Sequence, residues 1–332
     1  MKRQRGAALL AAMVTVTLIA TLAATALSRQ TQLGSMEAAE RQRQQAGWIL
    51  AGALDWSRLI LRSDGQSSRT DHLGEPWAVQ LQETRLSSFL AADKSSAASE
   101  DLARQPDAFL SGQIQDAQGR LNFENLVRQG QLVPSALLVF SRLFQQLELP
   151  QSELTRLAEQ WVRAENPPGR QATGGASEPE PGAQPLPLAP ARLQDLQRLG
   201  LSASTLTRLE PHVTLILAPK QAALTLNLNT ASAEAMAALL ALPLADALKL
   251  VRARNQQAFT DLAAAERAAG VAPGRFKSEL AGVASQYFLV RGRLRLGDMA
   301  VQELSLLKRE GRGVLIVWRE SGVFQDTPAP AR

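Results

Sequence analysis

The run from Ala7 to Leu27 carries no charged side chain. As a helix of roughly 21 residues at about 1.5 Å per residue it spans about 30 Å, the thickness of a bilayer's hydrocarbon core. Lys2, Arg3 and Arg5 precede it and Arg29 comes after it. That asymmetry keeps the short leading flank on the cytoplasmic side and sends the rest of the chain across. A secretory signal peptide cut near Ala24-Thr25-Ala26 and a plain membrane anchor both remain open on these residues alone. Gly6 ends a short basic leader and stands directly before the apolar run.

The periodicity continues past the membrane. Leu33, Met36, Ala46, Leu50, Ala53, Leu54, Ile60 and Leu61 fall near helical spacing among Gln, Arg and Glu, which predicts one long helix to about Arg62. Trp48, Trp56 and Trp77 sit near the junction of this helix with the head and are expected to be buried packing residues. Helical patterns recur over Pro134 to Arg163 and over Leu193 to Leu209. Between them, residues 166–191 hold seven prolines and cannot form a regular element. Strand signals cluster at Gly112 to Asn122, with a turn at Asp116 to Gly119, and at Tyr287 to Leu296 and Val314 to Arg319. That order implies a sheet interrupted by a long helical insertion.

Composition narrows the chemistry. The 332-residue chain has no cysteine and two histidines, His72 and His212. Disulfide frameworks, thiolate metal sites, cysteine nucleophiles and multi-histidine zinc centres are thereby excluded. The formal charge of +5 draws much of its excess from the leader, so it argues only weakly for an anionic partner. His72 has Glu75 three residues on but no second histidine nearby, and His212 comes directly after Pro211 in a loop. No carboxylate pair stands in a context that would shift one pKa for acid/base work. No nucleophile elbow, phosphate loop or dinucleotide fingerprint is present. Catalytic, cofactor and metal residues are therefore all expected to be absent, and the chain is not expected to be an enzyme.

The basic leader ending in Gly6, set against the apolar run, resembles the leader of type IV pilins and type II secretion pseudopilins. The resemblance implies that a prepilin peptidase cuts after Gly6, leaving Ala7 as the first, methylated residue. Such proteins usually carry glutamate at the fifth mature position, where it answers the terminal amine of a neighbouring subunit; here that position is Ala11. Alanine there is similar to the protein K family, the largest minor pseudopilins. Four further stretches carry the same resemblance: Asp71-His72-Leu73-Gly74-Glu75-Pro76-Trp77, Ile114 to Leu126, Leu226-Asn227-Leu228-Asn229-Thr230-Ala231-Ser232, and Ser285-Gln286-Tyr287-Phe288.

This resemblance implies an α+β fold: an N-terminal transmembrane and stalk helix, then a pilin-like small antiparallel sheet with a large inserted α-helical domain. The expected segments are a leader (1–6), a transmembrane segment (7–27), the stalk and first part of the head (28–122), the inserted helical domain (123–284), the C-terminal strands (285–325) and a disordered tail (326–332). It also implies a minor pseudopilin of the inner membrane, single-pass, with the bulk of the chain periplasmic, that primes and caps the pseudopilus tip. Ala11 would then determine position in the filament. Minor pseudopilins I and J, other type II secretion components and the prepilin peptidase are the implied partners. Calcium is a possible ligand by resemblance, but no Asp-x-Asp-x-Asn-Gly loop is present to supply ligands.

The Asn-x-Asn-Thr-Ala-Ser element also resembles a helix-hairpin-helix module, and a membrane-anchored DNA receptor is the alternative reading. Thr230 or Ser232 would cap a helix bearing Glu234 in its first turn, with Met236, Leu239 and Leu240 on one face. Such modules hold phosphate on backbone N–H groups at a glycine hairpin. Here the hairpin is Pro243-Leu244-Ala245-Asp246, with no glycine and an added carboxylate, so the unit is expected to pack rather than to bind nucleic acid.

Overall fold

The computed structural model describes residues 4–88, 108–166, 187–218, 223–297 and 299–322. Lys2, Arg3, most of the Pro/Gly-rich stretch and the tail 326–332 lie outside the described residues. Helix α1 runs without a break over Gln4–Ser67, a turn beyond the predicted end at Arg62. From Leu9 to Leu27 its large apolar side chains are exposed, and it is long and apolar enough to cross a membrane. The threonines in this stretch satisfy their own hydroxyls, as Thr17 does on the carbonyls of Met13 and Val14 at 3.0 and 2.9 Å. No hydroxyl donor there is left to hydrocarbon.

The architecture is α+β. Strands β1 (Leu81–Arg85), β2 (Ala108–Asp116), β9 (Tyr287–Leu296), β10 (Met299–Glu310) and β11 (Gly313–Gly322) form a five-stranded sheet in the order β1-β2-β9-β10-β11. Between β2 and β9 lies the insertion: α2 (Pro134–Gln146), α3 (Gln151–Glu165), α4 (Ala203–Leu209), α5 (Ala233–Leu240), α6 (Leu244–Gln256) and α7 (Leu262–Ala269). Short strands stitch it together. β3 (Leu121–Asn122) pairs in parallel with β6 (Val213–Thr214), β4 (Val127–Arg128) pairs with β5 (Gln131–Leu132), and β7 (Leu226–Asn227) pairs in parallel with β8 (Ala281–Gly282).

The structure corrects the sequence reading in two places. The segment around Asp116 to Gly119 does turn, but β3 does not fold back on β2; it leaves to pair with β6, which lies more than ninety residues on. The strand β10 gave no recognisable alternation because consecutive residues are buried on opposite faces. Leu306 packs with Ala117, Ile216 and Tyr287, whereas Leu307 packs with Leu54, Leu61, Trp77 and Phe288. A bulge between Leu306 and Leu307 accompanies this shift in the antiparallel ladder with β11. A sheet covered on both faces loses the polar-apolar period that marks a half-exposed strand.

By packing the chain divides into two compact units. One comprises Met1–Ala53, Glu83–Leu110 and Arg293–Val301; the other comprises Leu54–Gln82, Ser111–Gly292 and Gln302–Arg332. In the first, Arg295 pairs with Glu83 at 2.5 Å and lies over the Phe109 ring at 4.1 Å. The second holds the main core, built from α2, α3, α5 and α6 around Phe123, Phe140, Leu143, Phe144, Trp161 and Met236. Phe123 and Phe140 stack there with centroids 4.3 Å apart.

Candidate functional site

The four stretches that carry the family resemblance are far apart in sequence and meet in one buried polar knot. Asp116, at the end of β2, is its centre. Its Oδ2 accepts hydrogen bonds from Asn227 Nδ2 at 2.9 Å, Thr230 Oγ1 at 2.5 Å and Ser285 Oγ at 2.7 Å, and its Oδ1 accepts from the Gln118 backbone N–H at 2.8 Å. Asn227 also donates to the Asp71 carbonyl at 3.0 Å. Asp71 in turn accepts from the Ser285 backbone N–H at 2.7 Å, and Gln118 Oε1 accepts from the backbone N–H groups of Gln286 and Tyr287 at 2.6 and 3.2 Å. A methyl group added at Gly119 would lie 2.9 Å from Thr230 Oγ1, so only glycine lets these two segments close. Burial pushes the Asp116 carboxyl up from its ordinary pKa, against the pull of the Thr230, Ser285 and Gln118 hydrogen bonds.

Beside the knot, Arg309 on β10 joins three elements. It donates to Asp71 at 2.8 Å and to Asp64 at the end of α1 at 2.9 Å, and its guanidinium lies 4.8 Å from the Phe288 ring centroid. Gly65 makes room for it, since a side chain there would come within 2.7 Å of Arg309 Cδ. The remaining carboxylate, Glu75, accepts from Trp77 Nε1 at 2.7 Å and from the His72 backbone N–H at 3.0 Å. Trp77 meets Phe288 edge-on at 5.3 Å. The Asp-x-Leu-x-Glu-x-Trp pattern is thus a device for seating a tryptophan under the sheet. Burial, with Glu75 close by, raises Asp64 to about 6 despite Arg309; burial raises Asp71 as well, opposed by Arg309 and the Ser285 N–H. Asp64, Asp71 and Glu75 converge through folding, with nothing in their local spacing to show it.

Carboxylate oxygens of Asp64, Asp71 and Glu75 lie within 4.8 Å of one another, the one such group among the described residues. It does not fit calcium, because Arg309 already bridges two of the three with its own positive charge. His72 is placed by local bonds, its Nδ1 accepting from the Gly74 N–H at 3.1 Å. His212 sits 2.9 Å from Ser232 Oγ, and burial lowers its pKa against the pull of Glu234.

The helix-hairpin-helix-like unit is α5 and α6. Ser232 caps α5 by accepting from the Ala235 N–H at 3.2 Å, while Thr230 serves the knot instead. Ala241 takes the left-handed conformation at the end of α5, with φ 53°. Arg254 is buried and donates to the carbonyls of Leu228 and Ala231 at 2.7 and 2.5 Å. It is committed to the fold, and burial lowers its pKa to about 10. Asp246 holds Lys249 at 2.7 Å where a phosphate-binding hairpin would present N–H groups.

Gly6 and Ala7 lie in the first turns of α1, and Ala11 is exposed on its apolar stretch. Of the three tryptophans expected to be buried, only Trp77 is, at 1% exposure; Trp48 and Trp56 are 79% and 43% exposed. The reason is helical phase. Ala46, Leu50, Leu54 and Leu61 are buried along one stripe of α1, and Trp48 stands about 200° around the helix from Ala46. The proximity of the tryptophans in sequence hid this opposition.

The arrangement comprises a long helix with an exposed apolar stretch, a small antiparallel sheet, and a helical insertion tied to that sheet by a polar knot. The family model of type II secretion system (T2SS) protein K matches residues 119–219. Type II secretion system protein K of Pectobacterium carotovorum subsp. carotovorum is 28% identical over 97% of this chain and 98% of its own length. That of Pseudomonas aeruginosa is 28% identical over 96% and 93%. The fold is also that of a chain in the crystal structure of the GspK-GspI-GspJ complex from enterotoxigenic Escherichia coli, with TM-score 0.60 and 19% identity over 86% of this chain and 99% of that one. Over nearly its whole length the chain is similar to type II secretion system protein K.

Proposed function

We propose that the protein primes and caps the tip of a periplasmic pseudopilus in type II secretion, anchored in the inner membrane by α1 with the bulk of the chain in the periplasm. The observation that carries this reading is the exposed apolar length of α1 with Ala11 where a filament subunit would place a carboxylate. An N-terminal carboxylate inside an apolar helix bundle would cost several kcal/mol unless a neighbour's amine answered it. A subunit at the end of a filament has no neighbour above it to supply that amine. Cleavage after Gly6 would expose Ala7 as the new N-terminus and keep the apolar segment attached.

Minor pseudopilins I and J are the proposed partners, in keeping with the complex in which the similar chain from enterotoxigenic E. coli was solved. The role is structural, without catalysis and without nucleic acid. Co-purification of the tagged, membrane-extracted chain with pseudopilins I and J tests it, together with the intact mass of the recovered protein. Recovery of both partners with a chain beginning at Ala7 is expected. A chain recovered alone, or cut after Ala26, contradicts the reading.

A further inference from the structure

The second unit contains a cavity of about 350 Å³ that the polar knot borders but does not fill. Its wall is rich in amides: Gln80, Gln82, Gln113 and Gln115 line it, with Arg120, Thr230 and Ser232. The amides are ordered in one direction. Arg120 donates to Gln115 Oε1 at 3.0 Å, and Gln115 Nε2 donates to Gln113 Oε1 at 3.0 Å. With its oxygen occupied, Gln113 has its amide N–H groups to offer, and Arg120 has donors beyond the one bonded to Gln115. On this part of the wall Gln113 and Arg120 therefore offer donors.

Charge agrees with that polarity. Asp116 also lines the cavity, but its carboxylate already receives four hydrogen bonds from the knot. The guanidinium of Arg120 feels Glu210 and Asp116 favourably and Arg291 unfavourably. Burial lowers its pKa, a cost that an entering anion would relieve. The apolar side of the cavity, from Leu73, Trp77, Ile114 and Pro211, suits the carbon skeleton of a peptide.

We propose that this cavity binds a carboxylate presented by a polypeptide, with Arg120 as the ionic partner and Gln113 as a neutral donor. The inference goes beyond the assembly reading and does not depend on it. A chain terminus and an acidic side chain share this chemistry, and three short acetylated peptides separate them: Ala-Ala-Leu with a free terminus, Ala-Glu-Leu amide, and Ala-Ala-Leu amide. Titration calorimetry on the full chain in detergent should show saturable binding of the first or the second, below roughly 10 mM, and none of the third. Whichever binds identifies the source. Arg120→Gln should weaken that binding about tenfold or more, and Gln113→Glu should abolish it by placing a negative charge beside the ligand. The second variant carries the test if the first fails to fold. Equal binding of the uncharged peptide, no saturation by either carboxylate, or undiminished affinity in a folded Gln113→Glu chain would overturn the proposal.

Discussion

The polar knot around Asp116 and the apolar length of α1 are opposite solutions to burial. In the knot, the polar groups of Asp116, Asn227, Thr230 and Ser285 are fully buried and answered within the chain. In α1, side chains from Leu9 to Leu27 that would ordinarily be buried stand exposed. The first region is complete by itself, and the second leaves a long apolar surface uncovered within the chain. Substitutions in the knot should accordingly be felt as lost stability, and substitutions on the open face of α1 as lost assembly.

The largest expected effect is at Asp116. Replacing it with Ala leaves four donors without their acceptor in a buried site, which should cost about 3–5 kcal/mol. Denaturant unfolding of the full chain in detergent measures it. A cost below about 1 kcal/mol would mean water replaces the carboxylate and the knot is not what joins the motifs. Next come the tryptophans, which divide the comparison within one residue type. Trp77→Ala should destabilise by about 3–5 kcal/mol through the emptied volume and the lost bond to Glu75. Trp48→Ala should stay within about 0.5 kcal/mol of wild type in stability, while reducing recovery of partner subunits. Equal destabilisation by both would erase the distinction between the two regions.

A smaller effect should appear with pH. The Asp64 carboxyl titrates near 6 in the folded chain, above its ordinary 3.8. The folded state therefore holds the proton more tightly than the unfolded state does. This group's contribution to stability is full below about pH 4 and is lost as pH rises through about 6. Asp64→Asn should flatten the stability profile in that window, read by melting temperature from pH 4 to 7. An unchanged profile would place the titration elsewhere, with Asp71 or Asp116, which burial also raises.

The sequence showed well whatever depends on local pattern. The uncharged run, the long helix and the capping residue Ser232 are written in periodicity and residue type. The motifs could be found, but their purpose could not. Asp116 reads as a turn residue and Asp71 as the first residue of a motif with no visible partner, because Asn227, Ser285 and Arg309 are more than a hundred residues away. Strand β10 was hidden by burial on both faces, and its Gln, Glu and Lys residues suit a helix as well as a strand. The cavity beside Arg120 was equally invisible, since Gln80, Gln113 and Arg120 form one wall only after β2 and the loop behind it have folded. What nothing local could show about Trp48 was the direction it faces, which is fixed by which stripe of α1 the core takes.

The central claim is that this subunit occupies the end of the filament and not its length. Gold labelling of a tag on the head, viewed by electron microscopy on pseudopili assembled in cells, reads this directly. Label confined to a single end of each pseudopilus is the predicted result. Label distributed along the filament would contradict the claim, and with it the reading of Ala11 as the residue that sets position.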